Sequence, residues 1–549
     1  MRRRLTAAIT LPVATALLLA GCSSGSSSSG STGGSTSAAN TSGAITIDGT
    51  QPENPLIPGN TNETGGGKVV DSLFTGLVRY NTDTAAPEMA VASSIDSSDA
   101  QNYDVKLNSG WTFHDGTPVN AKSFVDAWNW VAYAPNGALN SSFMAEIAGY
   151  DALNPVDAAG KPSTTPPATK EMTGLKVVSD TEFTIALSAP YSPFKAKLGY
   201  TAFSPLPTSF FTDPTAFGRK PIGDGPFKFV EWNDNADIKL TRNDTYAGST
   251  KPSVKDVTFK LYQDQNAAYA DLQSNNLDFQ QTLPTSALAG EQYKTDLNNR
   301  AIDKDVLVVQ TISFPLYDKQ YQNPKLRQAI SEAINRDQIT KVIFNNTRTP
   351  STSWSSPGVG GYVKGTCGDF CTYNPDGAKK LLADAGGFTG QLTLSYNADG
   401  DHKAWTEATC NSIKDALGIA CVATPVPTFA DFRKQINNKS MTGMFRTGWQ
   451  YDFPNIENGL TPLYSTGGSA NDSKYSNTSF DSALTAAAAN SDLDKANSGF
   501  ADAEKMLAAD MPSIPLWSVK QQSGYSDKVG NVKVNAFGEI DLFQVTVNS

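Results

Sequence analysis

The sequence predicts a mixed α/β protein whose chain builds two large lobes that exchange segments. Its 549 residues are too many for one ordinary domain, since single domains mostly span about 100 to 200 residues. With 39% hydrophobic and 18% charged residues, the composition excludes a disordered chain and a multi-span membrane protein. Strand-like and helix-like segments alternate irregularly after residue 44, which favours interleaved lobes over a regular doubly wound sheet.

The first half of the chain contains segments with clear periodicity. Residues 102–107 alternate polar and apolar side chains and predict a half-buried strand. Asn120 is a suitable cap for a helix whose apolar residues return every three or four positions. The other predictions here are a surface loop at 154–169, two strands within 174–187, a strand at 254–262 and a helix at 265–274.

In the second half, Asn-Pro pairs mark where helices begin. Asn323 and Asn374 are each followed by proline, which places a cap and a first-turn proline ahead of a helical apolar pattern. The first pattern runs through Ile334, and glycines 386 and 387 end the second. The remaining predictions are a strand at 391–396, a helix at 405–417 and a strand at 419–423.

The N-terminus has the pattern of an export signal followed by a tether. Three arginines precede an apolar stretch over residues 5–20, which is too short for a convincing spanning helix. The end of that stretch, LAGC, resembles the lipobox of bacterial lipoproteins, which implies a lipoprotein signal over residues 1–22 and a lipid on the thiol of Cys22. An ordinary cleaved signal with an incidental cysteine is the alternative. Residues 23–43 are almost wholly Ser, Gly and Thr and predict a flexible tether.

Four cysteines remain beyond Cys22, and an even number in an exported protein favours disulfides. Cys367 and Cys371 bracket a tight loop, while Cys410 and Cys421 flank a predicted helix end. Among the three possible connectivities, we expect these two local pairs.

Charge and histidine content restrict the function. Without its first 22 residues the chain has a net charge of −13, which argues against binding to nucleic acid. His114 and His402 are the only histidines in the sequence. Two histidines argue against catalysis or metal binding that depends on this residue type. No hydrolase, nucleotide-binding or zinc-protease motif occurs. We expect no enzyme activity, no metal and no cofactor, with His114 a packing residue and His402 on a surface loop.

Five strings, in order along the chain, together resemble one family. They are similar to signatures of family 5 extracellular solute-binding proteins, the oligopeptide- and dipeptide-binding components of ABC importers. The strings are residues 111–124 (WTFHDGTPVNAKSF), 221–228 (PIGDGPFK) with 240–246 (LTRNDTY), 323–330 (NPKLRQAI) with 333–337 (AINRD), 373–382 (YNPDGAKKLL) and 514–517 (IPLW).

The resemblance implies an architecture that fits the mixed pattern. It is the two-lobed periplasmic-binding-protein-like α/β fold (type II, large cluster), in which an interleaved chain encloses a ligand between hinged lobes. Hinge strands would lie near 308–314 and 516–521. The implied domains are lobe I at 44–75, 200–305 and 521–549, an extra subdomain of lobe I at 76–199, and lobe II at 306–520.

The resemblance also places a peptide site in residues 446–452 (RTGWQYD). A short peptide is a zwitterion, so its site needs an anion for the ammonium and a cation for the carboxylate. By resemblance to the family's RxGWxxD string, Asp452 would bind the ammonium, Arg446 the carboxylate, and Trp449 would form the wall of a side-chain pocket. Tyr451 is a further ligand-binding candidate from the same string. Without the resemblance, the string is better explained as a strand end that carries a surface Asp and a core Trp.

Two other segments have weaker candidates. The glycine-rich residues 62–66, which include Thr64 and Gly65, occupy the place of a family loop that hydrogen-bonds peptide backbone. An ordinary turn explains them equally well. Phe429 and Phe432 precede Arg446 at a spacing like that of family pocket aromatics, although a plain core role is the stronger interpretation.

The leading functional hypothesis is therefore a lipid-anchored, extracytoplasmic, monomeric protein that delivers short peptides to an ABC permease and its ATPase. One alternative is the same fold binding another solute, such as an oligosaccharide, an amino acid derivative or a metal chelate. A secreted hydrolase and a sensory or adhesive lipoprotein are further alternatives.

Overall fold

The structure is a computed structural model that describes residues 42–156, 163, 165–398, 402–427 and 429–548. The predicted signal peptide, Cys22 and nearly all of the predicted tether lie outside these residues. Within the described part of the chain, no helix is long and apolar enough to cross a membrane.

The strands are short except for two of thirteen residues, β12 and β17. In chain order they are β1 Ala44–Gly49, β2 Val78–Tyr80, β3 Pro87–Met89, β4 Ala92–Asp96, β5 Asn102–Leu107, β6 Leu175–Ser179, β7 Glu182–Ala186, β8 Phe227–Asn233, β9 Asp237–Arg242, β10 Asp256–Leu261, β11 Phe279–Gln280, β12 Ala301–Ser313, β13 Arg348–Pro350, β14 Leu392–Asn397, β15 Cys421–Val426, β16 Met444–Gln450, β17 Ser513–Tyr525, β18 Val529–Gly530 and β19 Thr546–Val547.

The helices vary from single turns to the eighteen residues of α16. They are α1 Thr64–Leu73, α2 Ala121–Ala132, α3 Tyr150–Leu153, α4 Phe194–Lys197, α5 Pro214–Phe217, α6 Gln265–Gln273, α7 Thr285–Leu288, α8 Gln292–Asp296, α9 Pro324–Glu332, α10 Arg336–Phe344, α11 Pro375–Asp384, α12 Lys403–Leu417, α13 Phe429–Asn437, α14 Thr461–Tyr464, α15 Thr478–Ala488 and α16 Leu493–Asp510. A 3₁₀ turn, Ile456–Gly459, lies next to the candidate site.

The strand and helix with the clearest sequence patterns, β5 and α2, form where the sequence predicts them. β5 buries every second residue, as its alternation predicts. α2 begins with a capping box in which Asn120 and Ser123 each accept a hydrogen bond from the other's backbone N–H. The helix after Asn323 was predicted too long, because Asn335 caps a second helix and α9 ends at Glu332.

One large mixed sheet organises the molecule. Its eleven strands run β15-β14-β16-β12-β17-β11-β1-β10-β9-β8, and β13 adds to β17. The long antiparallel strands β12 and β17 lie at its centre. β12 pairs on its other side with β16, whereas the end of β17 pairs with β11. These two strands therefore join the two halves of the sheet.

The pairing of β12 with β17 is interrupted where the two halves meet. The register shifts between Asp305 and Val309, and the backbone of Leu307 instead hydrogen-bonds to Ala536 and Tyr451. This break lies beside the predicted hinge segments. The hinge and the domain boundaries stay predictions.

Two large buried clusters fill the interior on either side of this centre. One is built mainly from residues 45–259 and includes a four-stranded antiparallel sheet, β4-β5-β7-β6, against which α2 packs through Trp128. The other is built mainly from residues 307–517. Within the second cluster, the structure places Cys367 and Cys371, and likewise Cys410 and Cys421, at disulfide-bond distance.

Both histidines have structural contacts. The ring of His114 accepts a hydrogen bond from the backbone N–H of Gly223 and donates one to the carbonyl of Gly225. Burial lowers the pKa of His114 to about 4, so the ring is neutral and packs as predicted. His402 is half-buried just before α12, and its Nδ1 accepts a hydrogen bond from the indole of Trp405.

Candidate ligand-binding cavity

A cavity of about 960 Å³ is lined by several separate parts of the chain, and three of them contribute most of its residues. The first part comprises α1 and the neighbouring β2, the second is the end of β16 with the residues that follow it, and the third is the C-terminal stretch from 535 to 544. These parts belong to segments predicted for different lobes. A concave space of this size is typical of sites for small organic ligands.

Asp452 is held at the cavity wall by the turn that follows β16. Pairing with β12 fixes β16, and Asn455 caps the 3₁₀ turn that carries Asn458. The amide of Asn458 donates to Asp452 Oδ2 over 3.1 Å and accepts from the backbone N–H of Asp452 over 2.9 Å. It also accepts from Trp449 Nε1 over 3.1 Å. One buried amide therefore orients both the predicted anion and the predicted aromatic wall.

The carboxylate of Asp452 has polar contacts but forms no ion pair with any described residue. Desolvation by burial raises its pKa, and the hydrogen bond from Asn458 together with the charge of Lys197 lowers it. Two phenols, Tyr80 and Tyr200, also line the cavity. The negative charge of Asp452 adds to burial in raising the pKa of both, so both stay protonated as hydrogen-bond donors.

A charged network behind Asp452 joins two distant segments. Lys197 forms an ion pair with Glu146 at 2.6 Å, and its ammonium lies 5.8 Å from the ring centre of Tyr191. The hydroxyl of Tyr191 donates to Glu457 Oε2 over 2.6 Å. The network therefore connects residues 146–197 directly to the turn that presents Asp452.

Residues 62–66 are not a loop throughout, because α1 begins at Thr64. The side chain of Glu63 caps the helix by accepting from the backbone N–H of Gly66. Thr64 lines the cavity, but Gly65 does not. A Cβ at Gly65 would lie 2.5 Å from Thr50 Oγ1, so this glycine permits packing against the protein's own chain.

Arg446 lies one layer behind the cavity. Its guanidinium donates to the Oδ1 atom of Asn397 and lies 5.2 Å from the ring centre of Phe429 and 5.4 Å from that of Phe432. Phe429 is 48% exposed and lines the cavity, whereas Phe432 is buried. Trp449 and Tyr451 also line the cavity, but Arg446 does not.

Several residues in or beside the cavity were missed by sequence reasoning. Asn458 lies only six residues after Asp452 but gains its role from the turn between them. Tyr80 and Asp71 carry no motif, although the spacing of Asp71 from Thr64 puts both on one face once α1 is known to be helical. Glu539 comes from near the chain end, and no local pattern connects it with the others.

Comparison with known proteins gives the same fold and one family. Residues 86–471 match the bacterial extracellular solute-binding proteins, family 5 (middle region). The chain is 24% identical to the oligopeptide-binding protein OppA of Bacillus subtilis over 97% of each chain. It is 27% identical to the glutathione-binding protein GsiB of Pectobacterium atrosepticum over 86% of this chain and 88% of that one.

A solved structure extends this likeness to three dimensions. The periplasmic binding protein DppA of Helicobacter pylori, an ABC-transporter-associated protein solved in complex with the peptide STSA, superposes with a TM-score of 0.74. It shares 21% identity over 92% of this chain and 98% of that one. The fold is thus that of the two-lobed periplasmic binding proteins, as the sequence predicted. Because the family match spans most of the sequence, the chain belongs to the family 5 bacterial extracellular solute-binding proteins.

Proposed function

We propose that this protein is the substrate-binding component of an ABC importer and that it captures short peptides in the cavity described above. The observation that carries the proposal is Asp452, a carboxylate oriented by Asn458 at the cavity wall and ion-paired with no cation of the described residues. It acts by binding its ligand, not by chemical turnover.

A peptide α-ammonium fits the surroundings of Asp452. A carboxylate removed from water is costly unless a cation or several donors compensate it. Asn458 supplies one donor to Oδ2, so the ammonium would complete a short, charge-assisted contact. The aromatic residues Trp449 and Tyr80 line the same cavity and offer apolar surface for the ligand's first side chains.

Two cations are candidates for binding the carboxylate end of a peptide. We retain Arg446 for this role, although the Phe429 ring lies beside its guanidinium at the cavity wall. Lys68 lines the cavity directly and donates to the backbone carbonyl of Asp48 over 3.3 Å. It is therefore a second candidate, contributed by α1.

The relatives support a peptide as the ligand class. OppA and GsiB are named for binding an oligopeptide and glutathione, and DppA was solved with a tetrapeptide. Identities of 24% and 27% leave room for a different side-chain preference. The shared feature we infer is capture of a free peptide N-terminus.

We further propose that the mature protein is a monomer held outside the cytoplasmic membrane by a lipid on Cys22. The support is the N-terminal sequence pattern, since these residues lie outside the described part. A Ser/Gly-rich tether of this length has a root-mean-square span of about 25 Å. That reach would keep the cavity near a membrane-embedded permease and its ATPase.

The proposal is tested by titration calorimetry on protein freed of bound ligand, using trialanine and N-acetyl-trialanine. We expect the wild type to bind only trialanine, because acetylation removes the ammonium. Asp452→Asn should weaken trialanine binding by roughly 30- to 1000-fold, the usual cost of removing one partner from a desolvated charge pair.

The matched control is Asp384→Asn, which removes a carboxylate that is ion-paired with Lys325 and does not line the cavity. It should bind trialanine like the wild type. Equal binding of both peptides by the wild type, or no loss in Asp452→Asn, would refute the role of Asp452. Binding of an oligosaccharide in place of any peptide would refute the peptide class.

A further inference from the structure

Acidic side chains outnumber basic ones around the cavity. Seven carboxylates line it, against the two cations Lys68 and Arg79. Four of the seven have partners within the described chain. Glu63 caps α1, Asp83 pairs with Lys533, Glu88 pairs with Arg79, and Asp541 accepts from Thr82. Apart from Asp452, the remaining two are Asp71 and Glu539, of which Glu539 interacts with the side chain of Asn535 and the charge of Lys68.

Asp71 faces the cavity from α1. The helix presents Thr64, Gly67, Lys68 and Asp71 to the cavity at the spacing of one helical face. Its other face is buried through residues such as Val70 and Leu73. Asp71 forms no hydrogen bond or ion pair with any described residue, and its side chain is accessible from the cavity. A carboxylate in this position has unfilled acceptor sites on both oxygens.

Glu539 reaches the cavity from a tight turn near the chain end. The side chain of Asn535 accepts from the backbone N–H groups of Phe537 and Glu539, and Gly538 supplies a left-handed φ of 87°. Gln521 of β17 donates to the carbonyl of Gly538 over 2.8 Å. The turn is therefore fixed on the central strands of the large sheet, and Glu539 is held in a defined place.

Aromatic rings accompany the two carboxylates. Phe537 of the same turn packs on Tyr80, with ring centres 5.4 Å apart, and both residues line the cavity. Asp71, Tyr80 and Glu539 line the same cavity, and Asp71 interacts electrostatically with both of the others. Aromatic faces next to carboxylates favour a cation with an apolar stem, such as a lysine or arginine side chain.

We propose that the subsite formed by Asp71, Glu539, Tyr80 and Phe537 receives a basic side chain of the ligand, so that the protein prefers lysine- and arginine-containing peptides. This inference rests on the proposed function, since the ammonium of the same peptide would be held at Asp452. Neither carboxylate forms an ion pair within the described chain. The charge of Lys68 acts on Glu539, and the ligand would add a second positive charge beside the two carboxylates.

The electrostatics of the subsite agree with this geometry. Although the Asp71 side chain is accessible from the cavity, the chain that surrounds it desolvates the carboxyl, and this effect together with the charge of Glu539 raises the pKa of Asp71 to about 7. Burial also raises the pKa of Glu539, with Lys68 and Asn535 opposing the effect. Two like charges forced together in this way are relieved when a cation enters between them.

The test compares peptide pairs that differ only in the terminal ammonium of one side chain. Each position of trialanine is replaced in turn by lysine or by norleucine, which keeps the methylene stem, and affinities are measured by calorimetry. For at least one position, the wild type should bind the lysyl peptide about tenfold more tightly than its norleucyl partner, as expected for hydrogen bonds to a charged group.

In Asp71→Asn, and to a smaller degree in Glu539→Gln, this ratio should fall toward one. Both substitutions keep side-chain shape, and thermal unfolding checks that the variants are folded. Asp384→Asn should keep the full ratio.

A wild-type ratio near one at all three positions, or a ratio that survives in Asp71→Asn, would overturn the basic-side-chain subsite. Either result leaves peptide capture intact if the trialanine backbone still binds. Failure of every peptide to bind would instead refute the proposed function itself. The two inferences therefore fail in distinguishable ways.

Discussion

Asp452 and Asp71 are two carboxylates that face the same cavity, but their surroundings differ. Asp452 is oriented by the amide of Asn458, which binds both its side chain and its backbone. Asp71 projects from α1 with no hydrogen-bonding partner among the described residues. The first carboxylate is fixed in direction, whereas the second contributes charge without a fixed direction.

This difference suggests how one cavity accepts many ligands. The α-ammonium is present in every peptide, so one fixed geometry of the anion suits all of them. Because the anion is already oriented in the free protein, little conformational entropy is lost when the ligand binds. A side chain varies in length and in the place of its charge. An unoriented carboxylate among aromatic rings tolerates that variation.

Removing the Asn458 amide, which orients Asp452, tests whether a fixed carboxylate is needed to bind the α-ammonium. Asn458→Ala should weaken binding of trialanine roughly 30-fold, because it leaves the Asp452 carboxylate and the Trp449 indole without a buried hydrogen-bonding partner. Calorimetry measures the loss. Asn471→Ala removes an equally buried amide that contacts Ser465 and Tyr475 and does not line the cavity. It should retain trialanine affinity, and equal losses in both variants would contradict a specific role for Asn458.

The second half of the comparison predicts a pH dependence. As the pH rises through the pKa of Asp71, about 7, its carboxyl ionises and attracts a lysyl ammonium more strongly. The lysyl-to-norleucyl affinity ratio should therefore rise by up to about tenfold between pH 6 and pH 8. Among the described residues, the titratable groups that interact electrostatically with Asp71 are Glu539, Tyr80 and Tyr246. The cation Lys68 lies three residues earlier on α1.

The ratio is the useful measurement because the peptide α-amine is common to both ligands, and the lysine side chain stays protonated over this range. Asp71→Asn should give a flat profile. A slope that persists in this variant would assign the titration to another group.

The smallest predicted effect concerns the connection behind Asp452. Tyr191→Phe removes the hydroxyl that donates to Glu457 and links residues 146–197 to the turn carrying Asp452. We expect all peptides to lose affinity about threefold, the cost of one hydrogen bond, with no change in the lysyl-to-norleucyl ratio. Tyr150→Phe, which removes a hydroxyl that hydrogen-bonds to the nearby Ser141, is the matched control. A change in the ratio would show that Tyr191 affects the Asp71 subsite directly.

Local sequence signals predicted most of the framework. Asn120, Asn323 and Asn374 all cap helices through their side chains, as expected. The signals failed where tertiary packing overrides local preference. The glycine-rich residues 62–66 suggested a loop or turn, but Glu63 caps α1 and the buried face around Val70 stabilises it as a helix.

The candidate site was only partly predictable for a different reason. A resemblance to known strings pointed to residues 446–452, and Asp452 and Trp449 do line the cavity. The same string could not show that Arg446 lies behind Phe429. Nor could it reveal Asp71 and Glu539, because their proximity depends on chain segments that meet only in the folded protein.

The position of β17 in the large sheet has a consequence for how the chain reaches its native state. β17 pairs with β12 on one side and with β11 on the other. Neither half of the sheet is therefore complete until residues 513–525 have been synthesised and have paired with both strands. Pairs such as Ala301 with Gly524 also require very distant parts of the chain to meet, which slows folding. A chain truncated before β17 would present two open strand edges, the feature that promotes aggregation.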